Sequence, residues 1–173
     1  MLNPFATESV TFETPVAMLI ACHDRVRQYA SLTESLAVHL QQNGADAAAV
    51  AGAQSILRYF DIAAPLHHQD EDDDLFPALL RKATPQLASV IADITAEHDE
   101  LGALWQQVRA ALLVVIAGDA KALDAQLAQQ FAMRYPAHAA REETEIYPFA
   151  AQLLDDACLA QLGKTMSARR QVA

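Results

Sequence analysis

The sequence is poor in residues that interrupt helices or build strands. Glycine occurs five times in 173 residues, and runs of β-branched residues are few, whereas alanine, leucine and glutamine are abundant. Because glycine and β-branched residues disfavour helices and the abundant residues favour them, the composition predicts an all-α protein.

Basic residues and long apolar runs are also scarce. Lysine and arginine number 12 against 22 acidic residues, a formal net charge of -10, which argues against nucleic acid or an anionic membrane surface as a partner. No apolar run approaches the roughly 18 residues of a membrane helix, and the start, MLNPFATESVTFE, lacks the basic and apolar regions of a signal peptide. Cys22 and Cys158 have no metal-type spacing and form no disulfide framework, so we expect a reducing, cytoplasmic location.

Long helical stretches separated by turn signals make up the chain. With 53% hydrophobic and 20% charged residues, residues 1–173 are expected to form a single domain, with an irregular start over 1–14. Turn signals at Asn43-Gly44, Thr84-Pro85 and Gly118-Asp119 separate the helices. They predict four long helices, at 16–42, 46–82, 84–117 and 120–154, and a short fifth helix in the tail. Such helices with short connections favour an up-down-up-down four-helix bundle.

Four prolines inside the second and fourth helices belong to an internal repeat. Each proline removes a backbone donor and is expected to kink or interrupt its helix. A shift of 71 residues places the second helix on the fourth and keeps the pattern F-x4-P-x-H-x3-E-x5-P. The matched pairs are Phe60/Phe131, Pro65/Pro136, His67/His138, Glu71/Glu142 and Pro77/Pro148. The first and third helices repeat more weakly, in ACHDRV around His23 and AEHDEL around His98, so we expect two similar helical hairpins.

The repeat also selects between two adjacent histidines. His68 corresponds to Ala139, whereas His67 corresponds to His138. His67 also shares a helix face with Glu71, which lies four residues further along the chain. His67 is therefore the predicted functional residue, and His68 is not.

Counting residues from each predicted connection indicates the depth of these side chains in the bundle. At about 1.5 Å rise per residue, all six lie within about one helical turn of the same level. They are His23, His67, Glu71, His98, His138 and Glu142. His39 lies about 160° around its helix from His23 and is expected at the surface instead.

Four imidazoles and two buried carboxylates are costly to desolvate without a partner, and bound cations would compensate them. The set exceeds a tetrahedral zinc site and contains no thiolate. Imidazole with carboxylate suits iron, and also zinc, manganese or copper. Two carboxylates able to bridge predict a dinuclear centre, with a hydroxide or oxide bridge balancing the remaining charge. The alternative, a metal-free helical interaction module, is disfavoured by the convergence of six ligands.

The pattern H…HxxxE…H…HxxxE resembles the hemerythrin-like, HHE cation-binding domain family. The resemblance extends from about Pro15 to Arg170 and includes the LGKTMSARR tail. It implies a four-helix bundle that holds two iron ions in a non-haem di-iron centre, and it implies that the six residues named above are the iron ligands. In such a centre Glu71 and Glu142 would each bridge the two irons.

One position departs from the oxygen-carrying members of that family. Those members have H-x3-H on the third helix, whereas His98 is followed four residues later by Gly102. The missing imidazole puts simple reversible oxygen carriage in doubt and suggests an open coordination position on the Gly102 side. The chain is more similar to four-histidine bacterial proteins implicated in iron–sulfur cluster repair and the nitric oxide response, although it shows no cysteine-bearing N-terminal segment like theirs.

The sequence therefore predicts a di-iron protein that binds or responds to oxygen, nitric oxide or peroxide, in sensing, storage, or iron supply and repair. The alternative is a di-iron enzyme, either a peroxidase or a nitric oxide reductase. These hypotheses differ in turnover, which motifs do not reveal, so the sequence leaves open whether the protein is an enzyme. It also leaves the oligomeric state open.

Overall fold

A computed structural model describes residues 10–172 and confirms the predicted all-α architecture with a short C-terminal helix. No strand occurs within the described residues. The long helices and the tail helix are α1 Pro15–Asn43, α2 47–80, α3 Pro85–Ile116, α4 125–153 and α5 Asp156–Val172. That residues 1–173 form one domain stays a prediction. The expected irregular start falls partly outside the described residues, and 10–14 are non-helical.

Helices α2 and α4 contain π-helical segments at three of the four prolines. The π-helical segments are Tyr59–Ala63, Asp70–Leu75 and Glu142–Ile146, and the α-helical segments around them are Ala47–Arg58, Ala64–Gln69, Phe76–Leu80, Ala125–Arg141 and Tyr147–Leu153. Each π-helical segment ends two residues before a proline, at Pro65, Pro77 and Pro148. The missing proline N–H thus falls where the hydrogen-bonding pattern changes from i→i+5 back to i→i+4. The expected interruptions are π bulges in continuous helices, and at Pro136 the helix stays α-helical.

Side-chain caps fix where the third and fourth helices begin. The Thr84 hydroxyl accepts a hydrogen bond from the Leu87 N–H at 3.2 Å, so α3 begins where the Thr-Pro pair predicted. The predicted start of α4 at 120 was wrong. The carboxylate of Asp124 accepts from the Gln126 and Leu127 N–H groups at 3.1 and 3.2 Å, and this cap sets the first turn five residues later.

The four long helices close into a bundle. Helices α1 and α3 each pack against both α2 and α4, and α5 lies across α1 and the Asp70–Leu75 segment. Gly44 and Gly118 follow α1 and α3 with φ of 77° and 107°, a left-handed conformation that favours glycine. At each of these glycines the chain turns sharply out of the helix. The next helix can therefore run antiparallel to the one before it.

Two apolar clusters fill the bundle, and a polar layer separates them. One cluster contains Val26 and Leu101, and the other contains Leu19 and Ile94. On α1 the polar layer lies between Leu19 and Val26, and on α3 it lies between Ile94 and Leu101. The candidate site is therefore enclosed above and below by hydrophobic core.

Helix α5 is fixed to the bundle by ion pairs and by one close backbone contact. The buried carboxylate of Asp70 binds the guanidinium groups of both Arg169 and Arg170, with 2.7 Å between Asp70 Oδ2 and Arg170 Nη2. A Cβ atom built on Gly163 would lie 1.8 Å from the carbonyl oxygen of Phe12. Only glycine therefore allows α5 to approach the segment that precedes α1.

We expect Gly163→Ala to lower the free energy of unfolding by about 1–3 kcal/mol, because the added methyl group must displace the Phe12 backbone. Gly52→Ala is the matched control. Its Cβ would meet only Leu36 Cδ1 at 3.9 Å, so it should stabilise the protein by up to about 1 kcal/mol through helix propensity. Chemical denaturation of the two variants and the parent measures both effects. Equal stabilisation by the two substitutions would show that the Phe12 contact does not constrain α5.

Candidate metal centre

All four long helices contribute side chains to the polar layer. Its members are His23 on α1, His67 and Glu71 on α2, His98 on α3, and His138 and Glu142 on α4. Both carboxylates are fully buried, and the most exposed of the four histidines is His98 at 7%. The structure thus brings together all six residues that the sequence singled out, and their role as metal ligands stays a prediction.

Glu142 lies between two pairs of imidazoles. Its Oε2 is 3.1 Å from Nε2 of His23, which itself lies 2.9 Å from Nε2 of His67. Its Oε1 is 2.9 Å from Nε2 of His138 and 3.3 Å from Nε2 of His98. One carboxylate therefore reaches both halves of the layer, with one oxygen directed to each.

Glu71 lies at the same boundary on the facing helix. Its Oε2 is 3.6 Å from Nε2 of both His67 and His98, which belong to different halves. Both glutamates also lie at the start of π-helical segments, Asp70–Leu75 and Glu142–Ile146. The wider helical turns of α2 and α4 therefore occur at the level of the polar layer, where such bulges often accompany function.

Three carboxylates outside the layer hold the outward-facing nitrogens of its histidines. The Nδ1 atoms of His23, His98 and His138 lie 2.8, 2.9 and 2.8 Å from carboxylate oxygens. Their respective partners are Glu143, Asp72 and Glu97. Such a bond places the proton on Nδ1 and leaves the Nε2 lone pair facing inward, the arrangement found around metal-bound histidines.

Sequence reasoning missed these outer carboxylates, although the repeat contained a signal for two of them. Asp72 and Glu143 are matched positions that each directly follow the glutamate of HxxxE. Glu97 precedes His98, and the matched residue before His23 is Cys22. The Nδ1 atom of His67, which corresponds to His138, is buried without a hydrogen-bond partner.

Several inward-facing atoms also lack hydrogen-bond partners among the described residues. They are Oε2 of Glu71, Oε2 of Glu142 and Nε2 of His138. They approach neighbouring layer atoms closely, but at angles that do not form hydrogen bonds. Leaving a buried polar group unpaired costs about 1–3 kcal/mol. A cation at the centre would satisfy these atoms, so the donor set fits a metal bound by nitrogen and oxygen.

The protonation of the layer is divided unequally between its members. Burial first, and then the charge of Glu142, hold the pKa of Glu71 well above its ordinary value. Burial also raises the pKa of Glu142, but its close contacts with the imidazoles of His138, His23 and His98 outweigh burial and hold that pKa well below the usual range. A carboxyl group that retains its proton in this way would release it when a cation binds.

Two of the histidines, His67 and His98, also differ in their protonation. Burial, followed by the charge of His23, lowers the pKa of His67 to about 3, so this imidazole stays neutral. Burial also lowers the pKa of His98, but its hydrogen bonds to Asp72 and Glu142 raise it to about 9. His67 is therefore ready to act as a ligand, whereas His98 must first lose a proton.

Tyr147 makes the two halves of the layer unequal. Its hydroxyl donates to Oε1 of Glu71 at 2.6 Å, and its ring stacks on His23 with 5.5 Å between centroids. The matched residue in the repeat, Phe76, stacks on His98 at 5.9 Å but has no hydroxyl. The hydroxyl group of Tyr147 therefore orients Glu71, whereas the matched position in the other half of the layer offers no such donor.

His68, which the repeat argument set aside, also lies at the layer. Its ring stacks on His98 with 4.0 Å between centroids and an interplanar angle of 8°. Its nitrogens form a second possible ligand group with those of His98 and His138, all within 4.8 Å of one another. His39 instead pairs with Asp46 at 2.9 Å, away from the layer, as expected.

Comparison with known proteins decides the family. The model of the hemerythrin HHE cation-binding domain matches residues 14–150. The chain belongs to this family. A hemerythrin-family assignment confirms the resemblance predicted from the motif and indicates a cation-binding site, which the buried histidines and glutamates fit.

One relative extends the match to nearly the whole chain. It is an uncharacterized protein of Haemophilus influenzae, 35% identical over 162 residues, which cover 94% of this chain and 93% of the relative. Within the described part of this hemerythrin-family chain, no helix is long and apolar enough to cross a membrane.

In this hemerythrin-family protein, we expect Tyr147→Phe to weaken divalent-cation binding about 10- to 100-fold, the usual effect of removing a hydrogen bond that orients a ligand. Phenylalanine keeps the ring that stacks on His23 and removes only the hydroxyl group. Tyr59→Phe is the control, since that hydroxyl donates to the Cys22 carbonyl at 3.2 Å and not to the layer. Competition between each protein and a chelator for Co²⁺ measures the affinity. Equal affinities for the two variants would mean that Tyr147 does not orient Glu71.

Proposed function

We propose that this protein is a non-haem di-iron protein that binds or responds to oxygen, nitric oxide or peroxide. The proposed iron ligands are His23, His67, Glu71, His98, His138 and Glu142. When bound, the two ions would supply exchangeable positions for a small ligand and a redox couple. The protein would hold the ions, exclude bulk water and fix the protonation of their ligands.

The position of Glu142 supports two ions in preference to one. Its two oxygens face different imidazole pairs, at 3.1 Å from His23 and at 2.9 Å from His138. A single ion would gather both oxygens and all four imidazoles around one point. Two ions instead share the carboxylate as a bridge, as two-metal sites commonly do.

The chemistry of the donors supports iron. All six groups are imidazole or carboxylate, a set that suits iron but also zinc, manganese and copper. The thiols of Cys22 and Cys158 belong to neither possible ligand group and are not joined in a disulfide. Unpaired thiols also support the expected cytoplasmic location, where cysteines remain reduced.

The enclosed position of the layer supports a small ligand. Hydrophobic core lies on both sides of it, and its six members are at most 7% exposed. A diatomic molecule or peroxide can enter such a site with little rearrangement, whereas a large substrate cannot. A role in iron handling or repair, in which iron is gained or lost, would require the helices to open locally.

The test is optical spectroscopy of iron-loaded protein combined with iron analysis. We expect two irons per chain, and new absorption bands when oxygen, nitric oxide or peroxide is added in turn under anaerobic control. Glu142→Gln should lower the iron affinity about tenfold or more, because a buried bridging charge is lost. Asp73→Ala removes an exposed carboxylate from the same acidic run as Glu71 and should retain both irons.

A folded parent protein with one iron, or with two irons and no spectral response to any of the three molecules, would contradict the proposal. Continued consumption of peroxide or nitric oxide over many turnovers, in the presence of an electron donor, would favour the alternative of a di-iron enzyme. Binding without consumption would favour sensing, storage or supply.

A further inference from the structure

We infer that His68 supplies a fifth imidazole to the metal centre, bound to the same ion as His98 and His138. This inference rests on the proposed two-ion function and assigns a ligand that the HxxxE repeat does not contain. It makes the two metal positions chemically different, with three imidazoles at one and two at the other.

The geometry of the three histidines carries the inference. The rings of His68 and His98 are nearly parallel at 4.0 Å, and the ring of His138 lies 5.7 Å from that of His68 and 4.9 Å from that of His98. One nitrogen from each lies within 4.8 Å of the others. Two imidazole nitrogens on opposite sides of a metal ion are separated by about 4.2 Å, twice a typical metal–nitrogen distance. Because the stacked rings of His68 and His98 are nearly parallel and an imidazole binds a metal in its ring plane, the His68 ring must also turn towards the ion. A turn of this side chain together with a small contraction would place all three nitrogens on one ion.

The other half of the layer provides an internal standard. There His23, His67, Glu71 and Glu142 also offer ligand atoms that all lie within 4.8 Å of one another. The His68 group thus meets the same distance limit as the group formed entirely by residues of the repeated motif. Glu142 belongs to both halves, since its Oε1 is 2.9 Å from Nε2 of His138.

The repeat shows that this arrangement exists on one side only. The residue matched to His68 is Ala139, which is buried and offers no donor. Gly102, one turn past His98, has no heavy atom within 4 Å of an added Cβ, so no side chain from α3 fills that space. The third imidazole comes from α2 instead. The more open metal position is then the one beside His23 and His67, and not the one on the Gly102 side.

Aromatic packing is the competing role for His68. Its ring also lies parallel to that of Tyr135, with 6.3 Å between centroids and an angle of 10°. If stacking between His98 and Tyr135 were the whole role, a phenyl ring would serve as well as an imidazole. His68→Phe keeps the stacked ring and removes both nitrogens, whereas His68→Ala removes both functions.

The experiment counts metal-bound imidazoles by proton NMR of protein loaded with Co²⁺ and labelled with ¹⁵N-histidine. Each ligating histidine contributes one strongly shifted N–H signal, because one ring nitrogen binds the metal and the other keeps its proton. We expect five such signals in the parent, five in the control His39→Ala, and four in both His68→Phe and His68→Ala. The count in the parent requires no variant, so it stands even if a substitution prevents folding.

Chelator-driven release of the metal gives an independent readout. In His68→Phe, one of the two ions should leave at least about tenfold faster than in the parent. Four signals in a parent that holds two Co²⁺ ions, or five signals in His68→Phe, would overturn the inference. So would fast release in His68→Ala with normal release in His68→Phe, since that result assigns stacking alone. A parent that holds fewer than two ions would instead refute the proposed di-iron function, and the fifth ligand would fall with it.

Discussion

The whole structure depends on one constraint: two carboxylates and four imidazoles are buried together at mid-height in a bundle whose interior is otherwise mostly apolar. Burying such groups is costly unless each finds a partner. The outward nitrogens of three histidines find carboxylates at the rim, and arginines bind two of those, as Arg27 does with Glu143 at 2.8 Å. Inward-facing atoms such as Oε2 of Glu71 and Glu142 find none among the described residues. Cation binding therefore explains the layer better than a closed hydrogen-bond network does.

The two halves of the chain supply a nearly symmetric frame, and their differences give the centre its chemistry. Matched histidines and glutamates place equivalent groups on both sides of the layer, and the matched prolines Pro77 and Pro148 follow equivalent π-helical segments. The differences are concentrated in residues that touch the ligands: Tyr147 against Phe76, Glu97 against Cys22, and His68 against Ala139. Each change alters hydrogen bonding or donor number in one half only. In the proposed di-iron centre, the two metal positions are therefore expected to differ in reactivity.

Much of this arrangement was predictable from spacing alone. The repeat and the turn signals placed His23, His67, His98 and His138 at one level, because helical rise and short connections leave little freedom. The π-helical turns were not predictable, since a proline indicates a lost donor but not how the helix absorbs the loss. His68 was missed because a repeat retains only what both halves share. Glu97 was missed for the same reason, as its matched position holds a cysteine.

The family match over residues 14–150 establishes a cation-binding domain, and the central claim beyond it is a pair of metal ions bridged by buried glutamates. Anomalous X-ray diffraction at the iron edge, on crystals of iron-loaded protein, tests that claim most directly. The account predicts two anomalous peaks per chain, one beside His23 and His67 and the other beside His98 and His138, with Glu142 between them. A single peak within the layer, or peaks confined to the surface acidic residues, would contradict it.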